Sequence, residues 1–214
     1  MAGWRLRDRV ADPLFIGRVA LVALVALAHV PALLESPELL KLDDDLNVGP
    51  RNAPLLHAGD HSLAAAVRWC LFEAAELGTR EPLGALFKLL VHRCVGVTAV
   101  AHRSVTVLAH AWVANSCAGL CYRVSGDVFG ALGAAGLLVA AHPMHAQAVA
   151  WVSCQPTVLA AAFALEAAHR ALEGRALVAA ALVGCACLCK ATALSSPAVV
   201  AFAVYLARVR DEAS

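Results

Sequence analysis

The stretch LFIGRVALVALVALAHVPALL, residues 14–34, decides the fold. Its 21 residues include only Arg18 and His29 as ionisable members, and about 20 apolar residues suffice to cross the hydrocarbon core of a bilayer. Arg5, Arg7 and Arg9 precede it, as basic residues do on the side of a span that stays in the cytoplasm. A cleavable signal peptide is the rival reading, since Ala26-Leu27-Ala28 resembles a cleavage site. The length of the run and the arginine inside it favour an uncleaved first span.

The whole chain has the same bias. Of 214 residues, 61 % are hydrophobic and 15 % charged, with a mean hydropathy of +0.71. A soluble domain carries about 25 % charged residues, so this chain has too few to cover a water-facing surface. Seventeen basic residues against sixteen acidic ones give a net charge of +1. That balance excludes a strongly basic nucleic-acid binder and an acidic solvating tail, and the apolar content excludes disorder.

Downstream of the first span the chain alternates. Residues 35–103 hold Asp43-Asp44-Asp45, four of the nine prolines and scattered charge. Apolar runs then follow at 104–122, 128–141, 146–165 with Pro156 inside, 176–189 and 193–206. The expectation is an all-α polytopic membrane protein of about six transmembrane helices. It forms a single membrane domain over 1–214, with a first span at 14–34, a long loop at 35–103 and five spans over 104–207. Some runs are shorter than a full crossing, which snorkelling ends or a thinned bilayer accommodates. With the N-terminus cytoplasmic, six crossings return Arg123, Arg170, Arg175, Arg208 and Arg210 to that side. The long loop, the His142–His145 turn and the stretch after Cys189 then share the opposite, non-cytoplasmic side.

Two helices are expected inside the long loop. Leu83, Leu86, Phe87, Leu90, Val91 and Cys94 recur at helical spacing behind Pro82, with Lys88, His92 and Arg93 off that stripe. Such an amphipathic helix beside membrane spans is suited to the interfacial plane; a small soluble lid is the other reading. Ser62 is placed to cap a second, carrying Leu63, Val67, Cys70 and Leu71. Cysteines 117, 121, 185, 187 and 189 lie in apolar runs, where cysteine packs as a small hydrophobe. Cys70 and Cys94 sit in more polar sequence, and their pairing stays open.

Three polar clusters bear on chemistry. In Asp43-Asp44-Asp45, adjacent carboxylates repel, and one held against a hydroxyl is a general base; a solvated loop is the plainer alternative. His142-Pro143-Met144-His145 falls where a run ends. Two histidines are fewer ligands than zinc needs, so no metal is assigned. Pro143 sets a turn there, and the histidines bond loop carbonyls or a phosphate. Lys190 ends its run either as a snorkelling anchor or as a point charge against an anionic head group.

In this order the segments resemble a known family. Asp43-Asp44-Asp45-Leu46-Asn47 follows the first span. Arg80-Glu81-Pro82-Leu83 leads into Leu86-Phe87-Lys88-Leu89-Leu90-Val91-His92. Ala141-His142-Pro143-Met144-His145-Ala146-Gln147-Ala148-Val149-Ala150-Trp151-Val152 comes next, and Leu188-Cys189-Lys190 closes the set. Together they look like the N-terminal membrane half of the GT-C superfamily of glycosyltransferases. They are most similar to the TMTC type, the O-mannosyltransferases that join a multi-span domain to tetratricopeptide repeats.

The resemblance implies transfer of a sugar, mannose in that family, from a dolichyl-phosphate-linked donor to protein Ser/Thr hydroxyls at the lumenal face of the endoplasmic reticulum membrane. On this basis Asp44, with neighbours Asp43 and Asp45, activates the acceptor, while Lys190, His142 and His145 face the lipid phosphate. No cofactor beyond the donor substrate is implied; the partners are the bilayer, the lipid-linked donor and an acceptor protein. The chain departs from the family in having Ala191 after Lys190, where an acidic residue is usual, and Cys154-Gln155 where Gly-Arg is frequent. The likeness covers about two thirds of the chain; family members have further spans and repeats, so the resemblance implies either a piece of such an enzyme, incomplete at the C-terminus, or a truncated remnant of one. A non-catalytic membrane scaffold that binds partners or lipid with the same fold is the alternative function. A small transporter or channel is a third; it would use ionisable residues at mid-span lining a path, and only His29, His110 and Glu166 come close.

Overall fold

A computed structural model of the chain describes residues 13–34, 62–72, 80–96 and 98–213. Among the described residues every element is helical. They comprise α1 (Pro13–Leu34), α2 (Leu63–Phe72), α3 (Pro82–Cys94), α4 (Ala99–Ser125), α5 (Val128–Ala135), α6 (Pro143–Ala150), α7 (Gln155–Leu172), α8 (Ala176–Cys189) and α9 (Ser196–Ala213). A π-turn at Gly136–Ala140 extends α5, and 3-10 turns at Val152–Cys154 and Ala191–Ser195 precede α7 and α9.

Local chemistry sets the ends. Thr98 caps α4 by accepting from the Ala101 N–H at 3.2 Å, and Gly126 ends α4 in the left-handed conformation, φ 74°. Asp127 caps α5 by accepting from the Phe129 and Gly130 N–H groups, each at 3.0 Å. Ser62 caps α2 as expected, its Oγ accepting from the Ala65 N–H at 3.3 Å.

Three segments, 13–31, 99–125 and 191–212, are long and apolar enough to cross a membrane. The pair Val128–Ala140 and Pro143–Ala150, bent by 55°, makes a fourth if counted as one span. This is fewer than the six crossings expected, for two reasons. The expected run at 146–165 is not one helix: α6 ends at Ala150, the chain is extended at Trp151, and Pro156 stands in the first turn of a new helix, where its missing N–H costs nothing. The apolar helix α8 has only 14 residues.

The outer surface bears large apolar side chains, among them Phe15, Leu27, Phe129, Leu137, Leu177 and Phe202. Hydrocarbon accepts such a surface, whereas water penalises it at about 25 cal/mol per Å². Inside, small residues bring the helices together. Ala111, Ala114 and Ala118 of α4 pack on Leu21 and Val25 of α1, the small-residue seam that lets membrane helices approach. A Cβ at Gly17 would collide with Leu132, so this glycine seats α1 on α5.

The bundle has two distinct ends. One gathers Arg18, Arg123, Arg170, Arg175 and Arg210: the Arg210 guanidinium donates to the Arg123 carbonyl at 2.6 Å, and Glu173 lies between Arg123 and Arg170. The other gathers α3, the start of α7 and the end of α8.

Helix α3 differs from its expected face. The large-residue stripe places Lys88 outside, yet the buried positions are Gly84, Ala85, Lys88, Leu89 and Val91, and Lys88 is 1 % exposed. Leu90 of the expected apolar face is 48 % exposed, and Cys94 is exposed too. The cause is that α3 is not laid flat on one surface but wedged between α2 and the α7/α8 pair. Leu86 packs toward Ala66 and Cys70, while Leu83 and Phe87 pack toward Leu159 and Cys189. Gly84 meets Pro156 and the Cys189 carbonyl. Cys70 is buried and Cys94 exposed, and both are free thiols. Burial holds His92 of α3 below its ordinary 6.5, with Arg93 pushing the same way.

Candidate functional site

Lys190 follows the last turn of α8 in an extended conformation, φ −154° and ψ 130°. Its Nζ lies 2.6 Å from Glu81 Oε1. Glu81 is the residue before α3; Pro82 takes the first helical position behind it. The carboxylate side chain is 8 % exposed and the lysine 32 %. The pair forms because α3 comes close: a Cβ at Gly84 would stand 2.9 Å from the Pro156 ring and 3.1 Å from the Cys189 carbonyl oxygen. A bare glycine there lets the α3 backbone rest on the joint between α7 and α8, which aims Glu81 at Lys190.

A buried polar layer extends from this pair into the bundle. Lys88, His102, Arg103 and Gln155 are among the largest fully buried side chains. Gln155 donates to the His102 carbonyl at 2.7 Å, and its Oε1 lies 3.3 Å from His102 Nδ1. Thr106 Oγ donates to the same His102 carbonyl at 3.0 Å. Arg103 Nε donates to the Ala150 carbonyl at 2.9 Å, and both Arg103 and Lys88 engage in further polar interactions. Buried charges of this kind are tolerated when paired or hydrogen-bonded.

The histidine turn is a different assembly. Pro143 has no N–H, and the Met144 N–H is taken by His142 Nδ1 at 3.3 Å, so the π-turn carbonyls just before lack their usual helical donors. Histidines supply them: His145 Nε2 donates to the Leu138 carbonyl and His110 Nε2 to the Val139 carbonyl, each at 3.1 Å. The rings of His29, His110, His145 and His142 follow one another at centroid separations of 5.3, 5.3 and 6.0 Å. His29 Nε2 is enclosed with no hydrogen-bond partner. Among the described residues no three metal-ligating side chains are grouped to hold an ion.

No protein-family model, curated protein or solved structure matches this chain. The site therefore rests on its own geometry.

Of the residues singled out in the sequence, Lys190 is placed against a carboxylate, while His142 and His145 join each other and His110. No described contact links them to Lys190. His110 is eight residues, roughly 12 Å of helix, further along α4 than His102, so the histidine file sits deeper than the polar layer. Asp43, Asp44 and Asp45 lie outside the described residues. Glu166, one of the three ionisable residues counted within spans, pairs with Arg170 at the arginine-rich end. Sequence reasoning assigned no role to Glu81, Lys88, Arg103 or Gln155. Glu81 had a local signal, an acidic residue directly before a proline that opens a helix. Gln155 stands at one of the departures from the family pattern.

Proposed function

We propose that this protein belongs to the dolichyl-phosphate-sugar-dependent glycosyl transfer machinery, moving a sugar, most simply mannose, to protein Ser/Thr hydroxyls at the lumenal face of the endoplasmic reticulum membrane. Six end-to-end helical runs serve as crossings: α1, α4, the bent α5/α6 pair, α7, α8 and α9. The segment 35–103 is then lumenal. The observation that carries this reading is the Lys190–Glu81 ion pair. It joins two of the sequence segments behind the family resemblance at one end of the bundle.

The chemistry assigned to that end is an exchange at the sugar's anomeric carbon. Asp44, flanked by Asp43 and Asp45, takes the proton of the acceptor hydroxyl as its oxygen bonds to that carbon. The bond from carbon to phosphate oxygen breaks, and dolichyl phosphate departs with the electron pair. Positive charge held outside bulk water stabilises the departing phosphate. Lys190 supplies it by exchanging its contact with Glu81 for one with the phosphate. His142 and His145 shape the bend between α5 and α6, with their rings committed to backbone groups.

The test is mannose transfer by the full-length protein in microsomes. Asp44→Asn is expected to abolish it, by a factor of about 10² or more as for loss of a general base, while expression and membrane insertion stay intact. Normal transfer by this variant would refute the assignment.

A further inference from the structure

At the arginine-rich end, a cavity of about 330 Å³ opens between α1, α4 and α7. Its charged lining consists of three arginines, Arg18, Arg123 and Arg170, and two glutamates, Glu166 and Glu173. The glutamates are already occupied. Arg170 binds Glu166, and it binds Glu173 at 2.8 Å; Arg123 reaches Glu173 at 3.2 Å. The polar neighbours are engaged as well: Asn115 donates to the Ala111 carbonyl at 3.0 Å, and His169 to the Ser116 carbonyl at 2.9 Å.

Arg18 is the exception. Among the described residues it makes no hydrogen bond and no ion pair, and its Nε is enclosed without a partner. It sits in the second turn of an apolar span-length helix, where an uncompensated charge is costly. The opposite wall leaves it room, because a Cβ at Gly119 would collide with the Arg18 guanidinium and stand 3.1 Å from the His169 ring.

We infer that this cavity binds a phosphate group, with the Arg18 fork as its principal ligand. A guanidinium presents parallel N–H donors that match phosphate oxygens two at a time. After the internal pairs are counted, one positive charge is left for the ligand. The phosphate comes either from the head group of an anionic lipid at the membrane surface or from a small soluble phosphomonoester. This site is at the opposite end of the bundle from Lys190 and does not depend on glycosyl transfer.

The test uses the full chain in phosphate-free maltoside detergent and reads the thermal midpoint. One arm adds phosphatidic acid and the other glycerol 3-phosphate. Saturation at about a hundred times Kd is expected to raise the midpoint by about 5–10 °C. A rise in the first arm alone identifies lipid, and a rise with glycerol 3-phosphate identifies a soluble ligand; both support the site. Arg18→Gln is expected to keep the unliganded midpoint and lose the rise. Should Arg18→Gln not fold, Arg18→Lys, which keeps charge but not the fork, is expected to lose at least half of it. Gly119→Val, which displaces the guanidinium, is expected to do likewise. No rise in either arm, or a full rise in the Arg18 variants, would overturn the inference and leave Arg18 as a snorkelling anchor.

Discussion

Lys190→Met is expected to lower the thermal midpoint of the detergent-solubilised protein by about 5–10 °C, and adding Glu81→Gln to restore most of it. Methionine keeps the length and apolar stem of lysine, so the loss isolates the charge. It takes the Lys190 cation away from the Glu81 carboxylate, which is 8 % exposed. Stripping one partner from a fully buried pair costs about 3–5 kcal/mol. Lys190 is 32 % exposed, so solvent screening reduces this to about 2–3 kcal/mol. With a shift of about 2–4 °C per kcal/mol for a chain of this size, the fall should be readily measured. The double variant removes both charges and should return to within about 1 kcal/mol of the parent. A double variant no more stable than Lys190→Met would show that the pair is not the coupled unit described here. Transfer activity provides the functional half. If Lys190 serves the departing phosphate, activity stays lost in the double variant although stability returns; recovery of activity would reduce Lys190 to a support for α3.

The second large effect is at Gly84. Its Cα faces the Pro156 ring and the Cys189 carbonyl oxygen, with a Cβ position only 2.9 and 3.1 Å from them. A fused ring and a backbone carbonyl cannot rotate aside, unlike the end of a flexible side chain. Gly84→Val must therefore lift α3, at about 3 kcal/mol, the upper part of the range for overpacking. Lifting α3 withdraws Leu83 and Phe87 from Cys189, which is fully buried. Alkylation of Cys189, followed by peptide mass spectrometry, should accelerate by about tenfold or more, as a loss of local stability above 1.4 kcal/mol implies. The control is Gly184→Val in α8, where a Cβ meets nothing within 4 Å. Equal alkylation rates in the two variants would mean that α3 is not seated on the α7/α8 joint.

The all-helical fold was legible because apolar run length survives any tertiary detail: residues 14–34 form α1 and the run at 104–122 lies within α4. Span boundaries near prolines were less so. Pro156 within an apolar run looks like an interruption, but the same residue is acceptable in the first turn of a helix, and only the extended Trp151 reveals the break. The face of α3 was misread for a different reason. Counting large apolar residues finds the side that would meet lipid or a loose core, whereas the closest packing falls to Gly84 and Ala85 because small side chains let backbones approach. Lys88 and Arg103 look like surface charge in sequence; a shared buried layer is a tertiary fact with no local mark.

The candidate site divides in the same way. Lys190 stood out as a lone cation at a helix end, and Glu81 lay inside a quoted motif, yet nothing local joins residues so far apart in the chain. For the His-Pro-Met-His turn the chemistry of proline was enough to place a break; of its two histidines only His145 bonds a carbonyl, whereas His142 accepts from the Met144 N–H. His29 and His110 were visible as odd residues for apolar runs. That their rings meet at 5.3 Å required the bundle.

The central claim is that the apolar helices thread a bilayer so that the Lys190–Glu81 end faces away from the cytoplasm and the arginine-rich end faces it. Engineered N-glycosylation acceptors measure this directly in microsomes. An acceptor near Ala58, in the segment between α1 and α2, is expected to be glycosylated, and one appended to the tail after α9 is expected to remain unmodified. Glycosylation of the tail with none near Ala58 would contradict the account.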